Sequence, residues 1–531
     1  MRYGFVIDHR RCIGCHACTV ACKEENRVPL GAFRTWVKYV EKGTFPDTRR
    51  YFSVLRCNHC DDAPCVTICP TVALYRRPDG IVDFDGRRCI GCKSCMQACP
   101  YDALYIDPTT NTAAKCNYCA HRVEVGLEPA CVIVCPETAI IAGDLDDPRT
   151  PIARLVAREQ VEVRKPEQGT RPKVFYVGAE TSALTPPMQR PAVTFMFGQR
   201  PAADADLVRM VAAVQAGERG GDGALSRPVY DVPHAPRPWG WRVSAYLWTK
   251  AIASGALMVG AADVLLRPDA IGPFSAVLAP VIALLFLLIT TALLVLDLKR
   301  PDRFHYILLK GNPRSWLVWG SWILLAYGAL AAVWLVAGLA GNTSLLRALA
   351  VPAIVLAAGA AGYSAFLFGQ AEGRDFWQSP LHLPHLLAGA VVAGSATLTV
   401  LHLLAGHDTW GPKLMGVEGL RLAMAAGLLA HLAIIGLDLF GPHPSVDVRR
   451  AARLITHGAW QSRFWGGVVI AGVGLPLLLV LWGLGAPATH LPMGVTLQEP
   501  VATAVAALLA LLGLWIYEDL WVKAGQSMPL S

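Results

Sequence analysis

The sequence predicts an α+β domain built from a duplicated small module, followed by an all-α bundle of eight membrane-spanning helices. All 16 cysteines of the 531-residue chain lie in the stretch from Cys12 to Cys135. Within that stretch RCIGCHACTVAC at 11–22 returns as RCIGCKSCMQAC at 88–99, which indicates a duplicated module. From about residue 243 onward the chain contains eight apolar runs, each close to the ~20 residues that a helix needs to cross a bilayer.

The composition excludes a purely soluble protein. Hydrophobic residues make up 53% of the chain and charged residues only 17%. The formal net charge is +8, but much of the basic surplus lies in loops between the apolar runs. In that position basic residues indicate membrane topology rather than binding to phosphate groups. We therefore expect membrane lipid, and no nucleic acid, as a partner.

Changes in composition divide the chain into three parts. They are a cysteine-rich domain at 1–180, a linker at 181–240 and a membrane domain at 241–531. The linker is rich in Pro, Ala, Gly and Arg, and some helix is predicted within it at 202–216. The predicted spans of the membrane domain are 243–263, 275–296, 317–339, 348–371, 385–406, 419–437, 464–485 and 500–520.

Short strands are predicted in the cysteine-rich domain. RPDG at 77–80 is typical of a turn and separates two strand-like pieces, 73–75 and 81–84, which predicts a hairpin. A further piece lies at 103–106, and one more strand is predicted within 165–179.

The cysteines form four groups of four, which could be disulfides, zinc sites or iron–sulfur ligands. Disulfides need an oxidising compartment, and the N-terminus has neither an apolar signal segment nor a twin-arginine leader. Zinc sites rarely place three cysteines within a single tight loop with a fourth close behind, whereas 4Fe–4S clusters commonly do. We therefore predict four 4Fe–4S clusters. The predicted ligands are Cys12, Cys15, Cys18, Cys22, Cys57, Cys60, Cys65, Cys69, Cys89, Cys92, Cys95, Cys99, Cys116, Cys119, Cys131 and Cys135.

With CNHCDDAPCVTICP at 57–70 and CNYC at 116–119, the order of the motifs resembles the four-cluster subunit of molybdopterin oxidoreductases. This family includes polysulfide, thiosulfate, dimethyl sulfoxide and nitrite reductase systems and respiratory formate dehydrogenases. The resemblance covers roughly residues 3–180 and implies a duplicated fold like that of bacterial ferredoxins. It also implies that the first motif pairs with the fourth and the second with the third. The implied quartets are Cys12/Cys15/Cys18/Cys135, Cys22/Cys116/Cys119/Cys131, Cys57/Cys60/Cys65/Cys99 and Cys69/Cys89/Cys92/Cys95.

Two motifs in the membrane domain resemble the NrfD/polysulfide-reductase membrane subunit. They are DLKRPDRFHYILL at 297–309 and NPRSWLVWGSWIL at 312–324. The resemblance implies that quinone, either menaquinone or ubiquinone, is handled without haem. A haem would need paired axial ligands, commonly histidines, and His402 and His431 are the deeply placed candidates for that alternative.

Five residues are candidates for the quinone site: Tyr246, Lys250, Asp297, Trp316 and Tyr363. Ionisable groups inside a bilayer are costly and by default suggest function. Lys250 could instead extend to the membrane interface, and Asp297 could pair locally with the arginines of the loop that follows it. Trp316 has the position of an interfacial tryptophan. A second polar set could form a proton path or merely pair between helices: His402, Glu418, Arg421, His431 and Asp438.

Lysines and arginines are concentrated in the loops on the side of the cysteine-rich domain, which predicts that this domain faces the cytoplasm from the inner membrane. We therefore expect an electron-transfer and anchor subunit that connects quinone to a catalytic partner. The partner is predicted to be a molybdopterin or tungstopterin enzyme that carries out the substrate chemistry. The alternatives are the equivalent subunit of a nickel–iron hydrogenase and part of a redox-driven proton pump.

Overall fold

In a computed structural model, which describes residues 1–189, 226–233, 238–404, 417–485 and 499–531, strands and short helices come first and long helices follow. This order confirms the predicted fold class. The strands are β1 (Tyr3–Asp8), β2 (Thr35–Thr44), β3 (Asp47–Arg56), β4 (Leu74–Arg76), β5 (Val82–Phe84), β6 (Leu104–Ile106), β7 (Ala113–Lys115), β8 (Ile140–Asp144), β9 (Val161–Glu162), β10 (Val174–Val177) and β11 (Ser226–Tyr230). The short helices among them are α1 (Ala17–Glu25), α2 (Pro64–Thr67), α3 (Ser94–Ala98), α4 (Ala120–Val123), α5 (Ala130–Ile133), α6 (Pro151–Arg158) and α7 (Thr181–Leu184).

In the part of the chain that the structure describes, four small sheets support the cysteine loops. The largest has the order β8–β1–β10–β9, in which β1 and β10 run parallel and the other neighbours antiparallel. The predicted hairpin around RPDG is confirmed as β4–β5, and the strand predicted within 165–179 is confirmed as β10. β2 and β3 form a long hairpin that was not predicted, and β11, from the segment predicted as linker, pairs with β2. The helix predicted at 202–216 lies outside the described residues.

The backbone of the two repeats follows the same course. Gly14 and Gly91 have φ angles of 70° and 67°, and His16 and Lys93, which directly precede α1 and α3, have φ angles of 60° and 65°. Positive φ is costly for residues other than glycine, so its repetition at His16 and Lys93 shows that the fold imposes it twice. The duplication predicted from sequence is thus visible in the local geometry.

Eight helices of the described residues are long and apolar enough to cross a membrane, as predicted. They are Trp241–Leu266, Phe274–Asp297, Trp316–Leu339, Thr343–Gly369, His382–Leu404, Glu418–Phe440, Arg463–Trp482 and Val501–Gly525, here called the first to eighth spans. The first and fifth spans are the most buried and form the centre of the bundle. They touch at Gly255 and Gly394, where a Cβ atom on either residue would collide with the opposite backbone.

The cysteine-rich domain sits on the end of the bundle where the first span begins. The loop between the second and third spans contacts it through backbone hydrogen bonds, from Arg300 N to Ile90 O (3.1 Å) and from Asn312 N to Pro70 O (2.8 Å). The loop between the fourth and fifth spans adds a bond from Gly373 N to Ala98 O (3.1 Å). Because the acceptors are backbone carbonyls close to cysteines, the membrane domain is held directly against the cysteine loops.

The segment 526–531, which follows the eighth span, reaches back into the cysteine-rich domain. Lys38 Nζ donates to Ser531 O (2.9 Å), Arg164 Nη2 to Leu530 O (3.1 Å), and Gln97 Nε2 to Gln526 Oε1 (2.6 Å). All of these side chains are buried, so this segment is part of the interior of the junction between the domains.

Candidate functional site

The structure brings the cysteines together in quartets, each drawn from two distant motifs. Three separate cavities are lined by one complete quartet each: Cys12/Cys15/Cys18/Cys135, Cys22/Cys116/Cys119/Cys131 and Cys69/Cys89/Cys92/Cys95. In the remaining quartet, burial raises the pKa of Cys65, and the neighbouring thiols of Cys99, Cys57 and Cys60 contribute to the same shift. These are the four groupings that the family resemblance implies.

The donor set fits iron–sulfur clusters better than single metal ions. Among the described residues no three Cys, His, Asp or Glu side chains converge closely enough to hold one ion, although four cysteines surround each cavity. A zinc ion would require thiolates at about 2.3 Å from one centre, whereas a cube of iron and sulfide keeps its four thiolates apart. All 16 cysteines are free, so none forms a disulfide.

Backbone amides point at the cysteine sulfurs. Ala139 N donates to Cys135 Sγ (3.2 Å), Ala113 N and Gly91 N to Cys89 Sγ (3.3 and 3.4 Å), and Leu74 N to Cys69 Sγ (3.4 Å). Such bonds stabilise thiolates, which are the ligands that iron requires. Burial acts in the opposite direction, raising the pKa of Cys18 to about 11 and that of Cys116 to about 12. A quartet of buried thiolates would therefore need the positive charge that bound iron would supply.

The quartets form a series from the surface to the membrane domain. Cys18 of the first quartet lies within electrostatic range of Cys131 of the second, Cys116 of the second within range of Cys57 of the third, and Cys95 of the fourth within range of Cys65 of the third. The two ends of the series differ in their surroundings. Cys15 is exposed, whereas the carbonyl of Cys92 accepts a hydrogen bond from Trp239 Nε1 (3.0 Å) at the start of the membrane domain.

A cavity of about 470 Å³ lies at the end of this series, between the first four spans. Its walls are mostly apolar, with leucine as the commonest residue, and Cys92 and Ser94 close it on the side of the cysteine-rich domain. Three of the five candidate quinone residues line it: Tyr246, Asp297 and Tyr363. An apolar chamber with a few convergent polar groups is the usual form of a site for an organic cofactor.

The other two candidates, Lys250 and Trp316, are not among the residues that line the cavity. Lys250 is 1% exposed and does not extend to the interface; its Nζ donates to Ser364 Oγ (2.5 Å) and Ala361 O (2.9 Å) and lies 4.5 Å from the ring centroid of Tyr363. Trp316 stacks on Phe366 with ring centroids 4.3 Å apart. It packs against the core of the cysteine-rich domain rather than standing in a lipid-facing belt.

Asp297 was expected to pair with the arginines of the loop that follows it, but its partner is different. Its carboxylate accepts a hydrogen bond from Lys93 Nζ (2.8 Å), a residue of the cysteine-rich domain, and not from the arginines of its own loop. Arg300 instead pairs with Asp302 (2.8 Å), and Arg303 donates to Gly86 O and Cys89 O. Asp297 therefore joins the two domains at the edge of the cavity.

Among the described residues, the second polar set falls into two groups at different depths of the bundle. His402 lies edge-on to Phe274 and Arg421 donates to Thr503 Oγ1 (3.0 Å), both at the end of the bundle away from the cysteine-rich domain. His431 lies near the opposite end, 4.7 Å from the ring of His385, and Asp438 accepts from Ser379 Oγ. His402 and His431 thus belong to different groups, and Glu418 is exposed.

Sequence reasoning missed a buried group beside the cavity. His385 Nε2 and Glu518 Oε1 are 3.1 Å apart, and the ring of His382 stacks on Trp521 at 3.9 Å. Glu518 lies within electrostatic range of Lys250 and Tyr246. The signal in the sequence is an acidic residue inside the apolar eighth run and two histidines at i, i+3, which place them on one helix face.

Two family models match the chain: "Polysulphide reductase, NrfD" over residues 232–490 and "4Fe-4S dicluster domain" over residues 48–145. A tetrathionate reductase subunit of Salmonella typhimurium is 49% identical over 193 residues, which are 36% of this chain and 77% of the relative. A polysulfide reductase chain of Wolinella succinogenes is 42% identical over 181 residues, 33% of this chain and 94% of the relative. The arsenate respiratory reductase iron–sulfur subunit ArrB of a Shewanella species is 35% identical over 225 residues, 33% of this chain and 96% of the relative.

Proposed function

Because the chain belongs to the family of iron–sulfur electron-transfer subunits of respiratory reductases, joined here to an NrfD membrane subunit, we propose that it carries electrons between a catalytic partner and membrane quinone. The observation that carries this proposal is the apolar cavity that Cys92 closes on one side and Tyr246, Asp297 and Tyr363 line on the other. A quinone in this cavity would lie directly beside the last cysteine quartet.

The four quartets would hold one 4Fe–4S cluster each, and these clusters supply one-electron carriers in series. The residues of the chain itself would hold and orient the quinone. Tyr246 and Tyr363 line the cavity, and Asp297 is fixed in place by Lys93. Leucines of the second and third spans would enclose the ring and tail of menaquinone or ubiquinone.

The catalytic partner would dock where the first quartet reaches the surface. Cys15 is exposed there, and the apolar side chains of Ile13, Val20 and Ile133 around it are exposed as well. Exposed apolar patches of this kind mark protein interfaces. We take this partner to be a molybdopterin or tungstopterin enzyme, since the relatives are subunits of reductases.

Reoxidation by quinone tests the proposal in the purified protein. Protein reduced with dithionite and then freed of excess reductant should regain its visible iron–sulfur absorbance when a short-chain menaquinone or ubiquinone is added. Gly328→Trp is the blocking variant, because Gly328 lines the cavity and an indole there would occupy part of the space that the quinone needs. Equal reoxidation rates in the wild type and this variant would show that the quinone reacts elsewhere. Purified protein with about four zinc ions and little iron per chain would refute the proposed electron transfer through iron–sulfur clusters.

We also propose that the cysteine-rich domain faces the cytoplasm. The basic loops on its side of the bundle support this orientation, although Arg303 and Arg374 also bind groups of the cysteine-rich domain, Cys89 O and Gln97 Oε1 respectively.

Single cysteines added to the protein test on which side of the membrane each domain surface lies. Ser344→Cys, in the exposed first turn of the fourth span, should react with an impermeant maleimide in intact cells. Leu30→Cys, which is 94% exposed on the cysteine-rich domain, should react only after lysis, and the reverse pattern would place this domain outside.

A further inference from the structure

Two cations are fully buried among the cysteine quartets. Arg56 is 1% exposed and Lys115 is 0% exposed. Across the residues that the structure describes, no carboxylate lies within ion-pair distance of either side chain. Isolated buried charges are strongly unfavourable unless an opposite charge is close, so these two cations need an anionic partner.

Arg56 stands between the first and second quartets. Its Nη1 donates to Cys131 Sγ (3.1 Å), and its guanidinium lies 4.6 Å from the ring centroid of Phe5. The charges of Cys131 and Cys116 in the second quartet and of Cys18 in the first act on it. Its Nε and Nη2 have no hydrogen-bond partner, although Arg56 lines the cavity of the second quartet. Buried N–H groups without acceptors are rare, and here they adjoin the space that a cluster would fill.

Lys115 stands between the second and third quartets. Its Nζ donates to the carbonyl oxygens of Val82 and of Cys116 (2.8 Å for the latter), which fixes the ammonium beside a ligand of the second quartet. Its charge also acts on Cys65 of the third quartet. The two cations therefore alternate with the cysteine quartets along the series.

We infer that Arg56 and Lys115 are fixed positive charges that raise the reduction potentials of the clusters on either side of them. A 4Fe–4S cluster with four thiolate ligands is anionic, and each reduction adds one electron and one further negative charge. A nearby buried cation stabilises the reduced form more than the oxidised form, because few water molecules are present to screen it. The inference rests on the proposed four-cluster arrangement.

The experiment is redox titration of the purified full-length protein, followed by EPR of the reduced clusters. Arg56→Gln removes the charge and keeps a hydrogen-bond donor, whereas Arg56→Lys keeps the charge. In Arg56→Gln we expect at least one cluster to become about tenfold harder to reduce, which corresponds to a midpoint about 59 mV lower for one electron. Arg56→Lys should remain close to the wild type, and Lys115→Met should lower a midpoint independently.

Lys173→Met is the matched control. Lys173 is also buried in this domain, but it lies 3.3 Å from Asp61, which Arg2 and Arg76 also approach, so its loss should leave every midpoint unchanged. Full iron content with unchanged midpoints in both Arg56→Gln and Lys115→Met would overturn the inference. Loss of clusters from both variants would overturn it too, because the charges would then serve assembly. A wild type without four clusters would instead refute the proposed function.

Discussion

Cys92→Ala should abolish reoxidation of the reduced protein by quinone. Cys92 is the cysteine that lines both the cavity of the fourth quartet and the cavity between the first four spans. Without this ligand the fourth cluster would be lost or converted to a three-iron cluster, and the iron content should fall from about sixteen per chain to about twelve or about fifteen, respectively. Electrons on the remaining clusters would then have no carrier beside the quinone. Iron analysis and the reoxidation rate measure the two effects separately.

Cys12→Ala provides the control at the opposite end of the series. Cys12 belongs to the quartet that reaches the surface through Cys15, far from the membrane cavity. This variant should lose a similar amount of iron but still be reoxidised by quinone, while electron exchange with the catalytic partner fails. If Cys12→Ala and Cys92→Ala damage quinone reoxidation equally, the clusters do not act in the proposed order.

Lys250→Met should slow quinone-coupled turnover about tenfold or more. The ammonium of Lys250 is held by Ser364 and Ala361 and lies 4.5 Å from the ring of Tyr363, so it acts on the cavity wall from behind. A charge-assisted hydrogen bond such as that from Lys250 Nζ to Ser364 Oγ is worth roughly 1.5–3 kcal/mol. Its loss would weaken both the positive electrostatic field at the cavity and the positioning of Tyr363. Turnover with quinone should fall while dye-linked activity of the catalytic partner stays intact.

Lys310→Met is the matched control for this change. Lys310 also stands over a tyrosine, with its Nζ 4.8 Å from the ring centroid of Tyr306, but it lies in the loop outside the cavity. It should leave quinone turnover unaffected. Tyr246→Phe, which removes a hydroxyl from the cavity wall itself, should slow turnover in the same assay. Quinone rates within about twofold of the wild type for both Lys250→Met and Tyr246→Phe would show that the quinone binds elsewhere.

Local patterns were sufficient for the elements that local chemistry determines. The repeated cysteine loops, the RPDG hairpin and the eight apolar spans each carry their signal within ~20 residues. The pairing of β11 with β2 carries no such signal, because the two strands are far apart in the chain. Family resemblance, not spacing, supplied the grouping of the cysteines.

Contacts between the two domains could not be predicted from the sequence, because the residues that meet are far apart in the chain. Lys93 and Asp297 are separated by 204 residues, and nothing near either residue predicts the other. Local reasoning therefore assigned Asp297 to the arginines that follow it. For Lys250, sequence position alone left open whether the side chain turns outward to the interface or inward to the fourth span. Packing between the first and fourth spans determines the direction of the Lys250 side chain, which turns inward to the fourth span.

The segment 526–531 also imposes an order on biogenesis. The ribosome makes the cysteine-rich domain first and this segment only after the eighth span, yet Lys38 and Arg164 complete their hydrogen bonds with it. These hydrogen bonds can therefore form only after the eighth span has been synthesised. The junction between the two domains is therefore completed last, after every residue of the cysteine-rich domain has been made.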